Sequence, residues 1–194
     1  MQHMAAAAAA TALFIGAGSG AITTMNSARP PAPVEAQNPM VAGAAMLASE
    51  SIYASAAHSP EHATLVAELK AAGLTGTLQA PGDYTVFAPT DTAYAALGQA
   101  RVAAMLKPDA AAKDARYLIV KGRYDSATLL KLINENGGQV RLKTVEGGTL
   151  TAMLNGPSNI ALIDGKGNVA DISIYDIYQN NGVIQVIDKV VLPG

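Results

Sequence analysis

Residues 58–62 read His-Ser-Pro-Glu-His, the order in which two imidazoles and a carboxylate serve zinc proteases. That chemistry needs both imidazoles on one helical face and the glutamate as base for a metal-bound water. Pro60 works against it. Proline belongs at the first helical position, which leaves His58 outside the helix that His62 enters. No histidine follows His62, so a third ligand would have to be a carboxylate. The segment reads better as a helix start, with Ser59 as cap, Pro60 first in the helix and Glu61 facing the dipole. A Ser/His/Asp hydrolase needs its nucleophile on a tight turn such as G-x-S-x-G, and the chain has no such elbow. Asp164-Gly165-Lys166-Gly167-Asn168 opens like a calcium loop, but Tyr175 stands where the bidentate Glu is needed, so it reads as a hairpin turn. No enzyme, metal or cofactor is expected.

Tyr175 and Tyr178, around Asp176 and Ile177, suggest contact in place of catalysis. The apolar alternation of Ile172 and Ile174 slips to Tyr175 and Ile177, which predicts a bulge near 174–176. A kinked strand with two tyrosines can form a contact patch, since Tyr offers large area and a polar tip at low entropic cost. Packing at the edge of the core is the rival reading.

The elements that must carry these residues fall into two groups. After the start at 59–61, Leu65, Val66 and Leu69 recur at helical spacing and Gly73 stops the helix. Tyr84-Thr85-Val86-Phe87-Ala88 is a short β-rich run ended by Pro89, which lacks an N–H. Thr90 or Asp91 can cap a helix bearing Ala93, Tyr94 and Leu97, and short helices are expected at 101–106, 109–115 and 126–134. Beyond Gly138 the runs at 139–145, 149–154, 159–163, 168–178 and 183–191 are rich in Val, Ile, Leu and Thr. Glu146-Gly147-Gly148, Asn155-Gly156-Pro157, Asp164–Gly167 and Asn180-Asn181-Gly182 separate them as turns. Such short connections imply mainly antiparallel pairing. Helices first and strands later read as α+β. Asp188, in an apolar run, needs a hydrogen bond if it is buried.

The 194 residues allow one domain and a tail, and half of them are apolar. With no Trp and two Phe, aliphatic side chains must fill the core. There is no Cys, which excludes disulfides, thiolate sites and a Cys nucleophile. Thirteen basic and fifteen acidic residues form no run of either sign, so neither a nucleic acid nor another polyanion is the expected partner. Residues 1–28 begin with an uncharged Ala- and Gly-rich stretch that reads as a signal peptide, although a basic start is missing; an anchor and a plain tail are the alternatives. Residues 29–39 hold four prolines and form an extended linker, and residues 40–194 make the domain.

Two segments then point to a family. Tyr84–Tyr94, YTVFAPTDTAY, resembles the first signature of fasciclin I domains, and Asn181–Pro193, NGVIQVIDKVVLP, resembles the second. Arg116–Gly122, RYLIVKG, is similar to the central segment between them. The resemblance covers about residues 40–194. It implies a β-sandwich-like wedge with a cluster of short helices, and a role in adhesion or matrix interaction in secreted or cell-surface material, here of bacterial type. It makes Thr85, Phe87, Pro89, Thr90, Asp91, Asn181, Gly182 and Asp188 fold-holding residues. The family's His after the central Tyr is Leu118 here, and the His of the second signature is Gln185. Only Tyr117 matches the Tyr-His pair linked to integrin contact in animal relatives.

The expected function is therefore an exported binding module, periplasmic, cell-surface or extracellular, that contacts a surface or matrix protein or glycan. Tyr117, Tyr175, Asp176 and Tyr178 are its candidate contact residues. A binder of a small apolar molecule, held between sheet and helices, is the second reading. A zinc hydrolase at His58, Glu61 and His62 is the third.

Overall fold

β-rich runs that could not satisfy their backbone alone pair into one mixed sheet in this computed structural model, which describes residues 38–194. Residues 1–37, with the signal-peptide expectation and most of the linker, lie outside the described residues. The sheet strands are β1 (Tyr84–Pro89), β2 (Ile119–Lys121), β3 (Gln139–Lys143), β4 (Thr149–Asn155), β5 (Asn159–Ile163), β6 (Val169–Gln179) and β7 (Gly182–Ile187). Their order is β2-β1-β7-β6-β5-β4-β3. All pairs are antiparallel except β1 with β7, where Tyr84 faces Gly182 and Pro89 faces Ile187. A bridge from Val120 to Thr144 brings the two outer strands together, so the sheet is nearly barrel-like.

The helices are α1 (Ile52–His58), α2 (Ala63–Ala71), α3 (Thr75–Gln79), α4 (Asp91–Ala95), α5 (Gln99–Met105), α6 (Pro108–Tyr117) and α7 (Ser126–Glu135). Short hydroxyl and carboxyl side chains start several of them: Ser51 accepts from Ala54 N, Thr90 from Ala93 N and Asp125 from Thr128 N. Pro108 opens α6, where its missing N–H costs nothing. Leu65 and Leu69 of α2, Phe87 of β1, Leu129 and Ile133 of α7 and Ile160 of β5 are all buried in one core. Short helices before Gly138 and a meander of strands after it make the fold the expected α+β.

The start of the second helix differs from expectation. Ser59 ends α1 and does not cap α2, which begins at Ala63. Asp91, far along the chain, caps it: its carboxylate accepts from Ala63 N at 3.2 Å and from Thr64 N at 2.8 Å. His62 sits at the cap position without a capping bond.

Candidate functional site

Ile172 pairs with Ile187, Ile174 with Val186 and Ile177 with Ile184, so β6 carries extra residues between 174 and 177 and the expected bulge is present. At its centre Asp176 adopts φ +59°, a left-handed conformation that Asp tolerates better than most residues. Gln185, fully buried on β7, holds this kink open. Its Oε1 accepts from Asp176 N at 3.0 Å, while its Nε2 donates to Asp176 Oδ1 at 2.8 Å and to Tyr124 O at 3.1 Å. A side-chain amide thus replaces ladder bonds that the bulge removes.

The Asp176 carboxylate also holds the start of α7. It accepts from Ser126 N at 2.7 Å and from the Ser126 hydroxyl. Asp125 caps the same helix through Thr128 N at 2.8 Å, and its other oxygen accepts from the Tyr178 hydroxyl at 3.3 Å. Burial, then the charges of Asp176 and Asp125, push the Tyr178 hydroxyl up to about 12. Tyr178 keeps its proton at neutral pH.

Tyr175 spans a split in the sheet. Ladder pairing of β5 with β6 runs from Ile163 and Val169 to Ala161 and Asp171. Past that point the Tyr175 hydroxyl accepts from Ile160 N at 2.9 Å and donates to Asn159 Oδ1 at 2.5 Å. Beside it, the Asn38 amide imitates a neighbouring strand. Its Oδ1 accepts from Tyr178 N at 2.8 Å and its Nδ2 donates to Tyr178 O at 2.7 Å. Asn38, which the sequence put in the linker, is bonded to the fold.

Three of the four candidate contact residues therefore meet in one place, each half-buried with its polar tip bonded to the scaffold. Tyr117 does not join them. It is 1% exposed, donates to Thr149 O at 2.6 Å and accepts from Gly165 N at 2.8 Å. Its side chain is core, because α6 closes over the β4 and β5–β6 connections. Leu118 beside it is also buried, at the cap position that ends α6.

Several of the residues expected to hold the fold bond across elements. Thr85 donates to Gly122 O at 2.7 Å and accepts from Tyr124 N at 2.8 Å, and Phe87 is fully buried. Pro89 is the last residue of β1. Asn181 accepts from Ile52 N at 2.9 Å and donates to Leu78 O and Ala80 O at 2.8 and 3.0 Å, tying α1 and α3 to the final hairpin. A Cβ at Gly182 would lie 1.9 Å from Tyr84 O, so the parallel β1–β7 pairing requires glycine there. Asp188 is exposed and accepts from Asp171 N at 2.7 Å. Asp164 accepts from Lys166 N, Asn168 N and Leu192 N, as a turn residue would.

The two histidines do not converge. His58 is exposed on α1 with Nδ1 3.2 Å from Glu50, whereas His62 is 1% exposed with Nδ1 2.7 Å from the Ser59 hydroxyl. The zinc reading fails on that geometry, because the segment spans a helix end and a turn. Burial lowers the His62 pKa despite the opposing charges of Asp91 and Glu61.

Sequence reasoning missed a buried carboxyl. Glu68 of α2 is fully buried, and burial raises its pKa to about 7. The Tyr94 hydroxyl donates to its Oε2 at 2.5 Å, and its Oε1 has no partner. Asp114 of α6 acts on it electrostatically. The signal was available, since Glu68 follows Leu65 by three positions and so lies on the apolar stripe of α2. Nearby, Thr64, Tyr94, Gln99, Val102 and Leu106 line a groove of about 460 Å³. It lies on the helices, not between sheet and helices as expected.

The bulge, the Asn181 tie and the Gly182 contact hold one α+β fold together. The fasciclin domain model matches residues 60–193, and the chain belongs to the fasciclin family. It is 34% identical over 159 residues to Protein sll1483 of Synechocystis sp., covering 79% of each chain. It is 33% identical over 129 residues to the transforming growth factor-beta-induced protein ig-h3 of Sus scrofa, covering 66% of this chain and 17% of that one. Among solved structures it is similar to a FAS1 domain pair from the insect cell adhesion molecule Fasciclin I. That match has a TM-score of 0.63 at 17% identity and covers 75% of this chain and 52% of the other. These matches indicate no catalytic family. Among the described residues no helix is long and apolar enough to cross a membrane.

Proposed function

We propose that this protein is an exported surface or matrix module that acts in adhesion by noncovalent contact with a protein or a glycan. Membership of the fasciclin family across residues 60–193 carries the reading. Two similar proteins support it, a transforming growth factor-beta-induced protein and an insect cell adhesion molecule. The apolar amino-terminal sequence supports export. The bulge suits contact, because the half-exposed rings of Tyr175 and Tyr178 are fixed by bonds at their tips. Rigid amphipathic rings give area at little entropic cost. A single weak site gains strength when displayed in many copies.

The test is binding of the full chain to intact cells and to their extracted surface material. Saturable binding is expected, weakened about fivefold by Tyr175→Ala or Tyr178→Ala and unchanged by His58→Ala. No binding at about ten times a typical weak micromolar Kd, even after clustering, would overturn the reading.

The helical groove supports a second reading, as a binder of a small apolar molecule, since its 460 Å³ is of ligand size. A library screen by thermal shift checks it. A hit that raises Tm and loses its effect in Val102→Asp would favour this reading over adhesion.

A further inference from the structure

Cations scattered through the sequence are brought together where β2 meets β3. The Val120–Thr144 bridge places Lys121 and Lys143 on neighbouring strands beside it, both exposed. Val145 N donates to Ile119 O at 2.8 Å and Glu146 N to Arg116 O at 3.2 Å, which joins this pair to the end of α6 and its exposed Arg116. The Tyr117 hydroxyl, bonded to Gly165 N, draws the turn carrying Lys166 to the same helix. Lys113 lies one turn before Arg116 on α6, and α5, which carries Arg101, packs against α6.

These six side chains are exposed, and none forms an ion pair among the described residues. The local acids do little to offset them. Asp114 and Asp164 are buried, the latter bonded to Lys166 N, and Glu146 is half-buried and accepts from Gly148 N at 2.9 Å. Asp109, on the first turn of α6, is the exposed exception. In a chain of net charge −2, this is a concentrated positive band. The expectation that no polyanion is a partner considered runs of charge along the chain alone.

We propose that this band docks an acidic polysaccharide, a polymer with carboxylates repeated along an extended chain. The inference rests on the surface-module reading and names the partner for it. Four of the six cations are lysines, whose compact charge suits singly spaced carboxylates, whereas bidentate phosphate recognition favours arginine. Among the described residues the exposed large apolar ones are Met40, Leu47 and Val169, and of these Val169 is on the strand that follows the Lys166 turn. The band therefore lacks the apolar anchor of a protein hot spot and the wedge that enters a bilayer. Tyr117, the aromatic residue of these elements, is buried, so no ring is offered to stack on a base.

The experiment is binding of the full chain to immobilised polygalacturonate, with dextran as the neutral control and phosphatidylglycerol vesicles and duplex DNA as other anions. Salt-sensitive binding to polygalacturonate is expected. Lys113→Glu with Lys143→Glu should weaken it about tenfold or more, because each change replaces an attraction to the polymer with a repulsion. Lys70→Glu with Lys131→Glu makes the same change in net charge away from the band and should shift affinity less than about twofold. Circular dichroism checks that both are folded, and paired Lys→Gln changes replace any variant that is not. Equal losses in the two variants, equal binding to dextran, absence of binding, or capture of vesicles or DNA without polygalacturonate would each overturn the proposal. Cell binding that survives in the band variant removes this band and leaves the surface-module reading intact. Polygalacturonate binding by a chain that does not bind cells does the reverse.

Discussion

At the β6 bulge and in the layer formed by α2, α4 and α6, the protein takes acidic side chains away from water with opposite results. Asp176 is strained in its backbone, yet its carboxylate is met by Ser126 N, the Ser126 hydroxyl and Gln185 Nε2. Glu68 lies in an unstrained helix, yet it has the Tyr94 hydroxyl on one oxygen and no partner on the other. The difference teaches where a buried charge is tolerated. Donors fixed by the fold stand in for lost water around a carboxylate, while one neutral hydroxyl does not offset that loss. The bulge is a satisfied network that fixes a surface. The helical layer stores a pH-dependent cost.

The largest effect expected from this comparison is on stability against pH. The Glu68 pKa rises from 4.5 to about 7 on folding, so the folded state holds the proton more tightly than the unfolded chain. Its contribution is fully present below pH 4.5 and is lost as pH rises through 7, by about 3 kcal/mol in all. Asp114, raised by burial, acts in the same sense. His62, lowered by burial, acts in the opposite sense as pH falls below 6.5. Urea denaturation of the unaltered chain and of Glu68→Gln at pH 5 and pH 8 isolates the carboxyl. The variant should lose most of the slope, and an unchanged slope would show that Glu68 is not the titrating group.

Asp176→Ala comes next. It strands Ser126 N and the Gln185 amide and should cost about 2 kcal/mol, read as a lower urea midpoint at constant m. If Asp176→Ala proved neutral, the bulge would not be a satisfied network. Tyr175→Phe removes the hydroxyl that meets Ile160 N and Asn159 and should cost about 1 kcal/mol. Tyr178→Phe removes a 3.3 Å bond to Asp125 and should cost less than about 0.5 kcal/mol. A reversal of that order would mean that the sheet split does not depend on Tyr175.

Much of this fold was legible because turn chemistry is local. Glu146-Gly147-Gly148, Asp164–Gly167 and Asn180-Asn181-Gly182 separate strands that start and end within a few residues of the expected places. The bulge was legible too, from the slip in alternation at Tyr175. α1 was not, since Ile52–His58 is rich in Ala and Ser and shows little periodicity. Nor was the cap of α2, because Asp91 reaches it from another element and Ser59 offered a nearer candidate.

By itself, then, the sequence determined the α+β class, the order of elements, the family signatures and the place where β6 kinks. Each depends on residues close together in the chain, where backbone sterics and side-chain period act directly. Tertiary structure alone decided that Tyr117 is core, that Glu68 is starved of partners, that β1 runs parallel to β7, and that Lys113, Lys121, Lys143 and Lys166 share one band. Burial and electrostatic environment depend on which distant segments arrive beside a side chain, and no local pattern encodes that arrival.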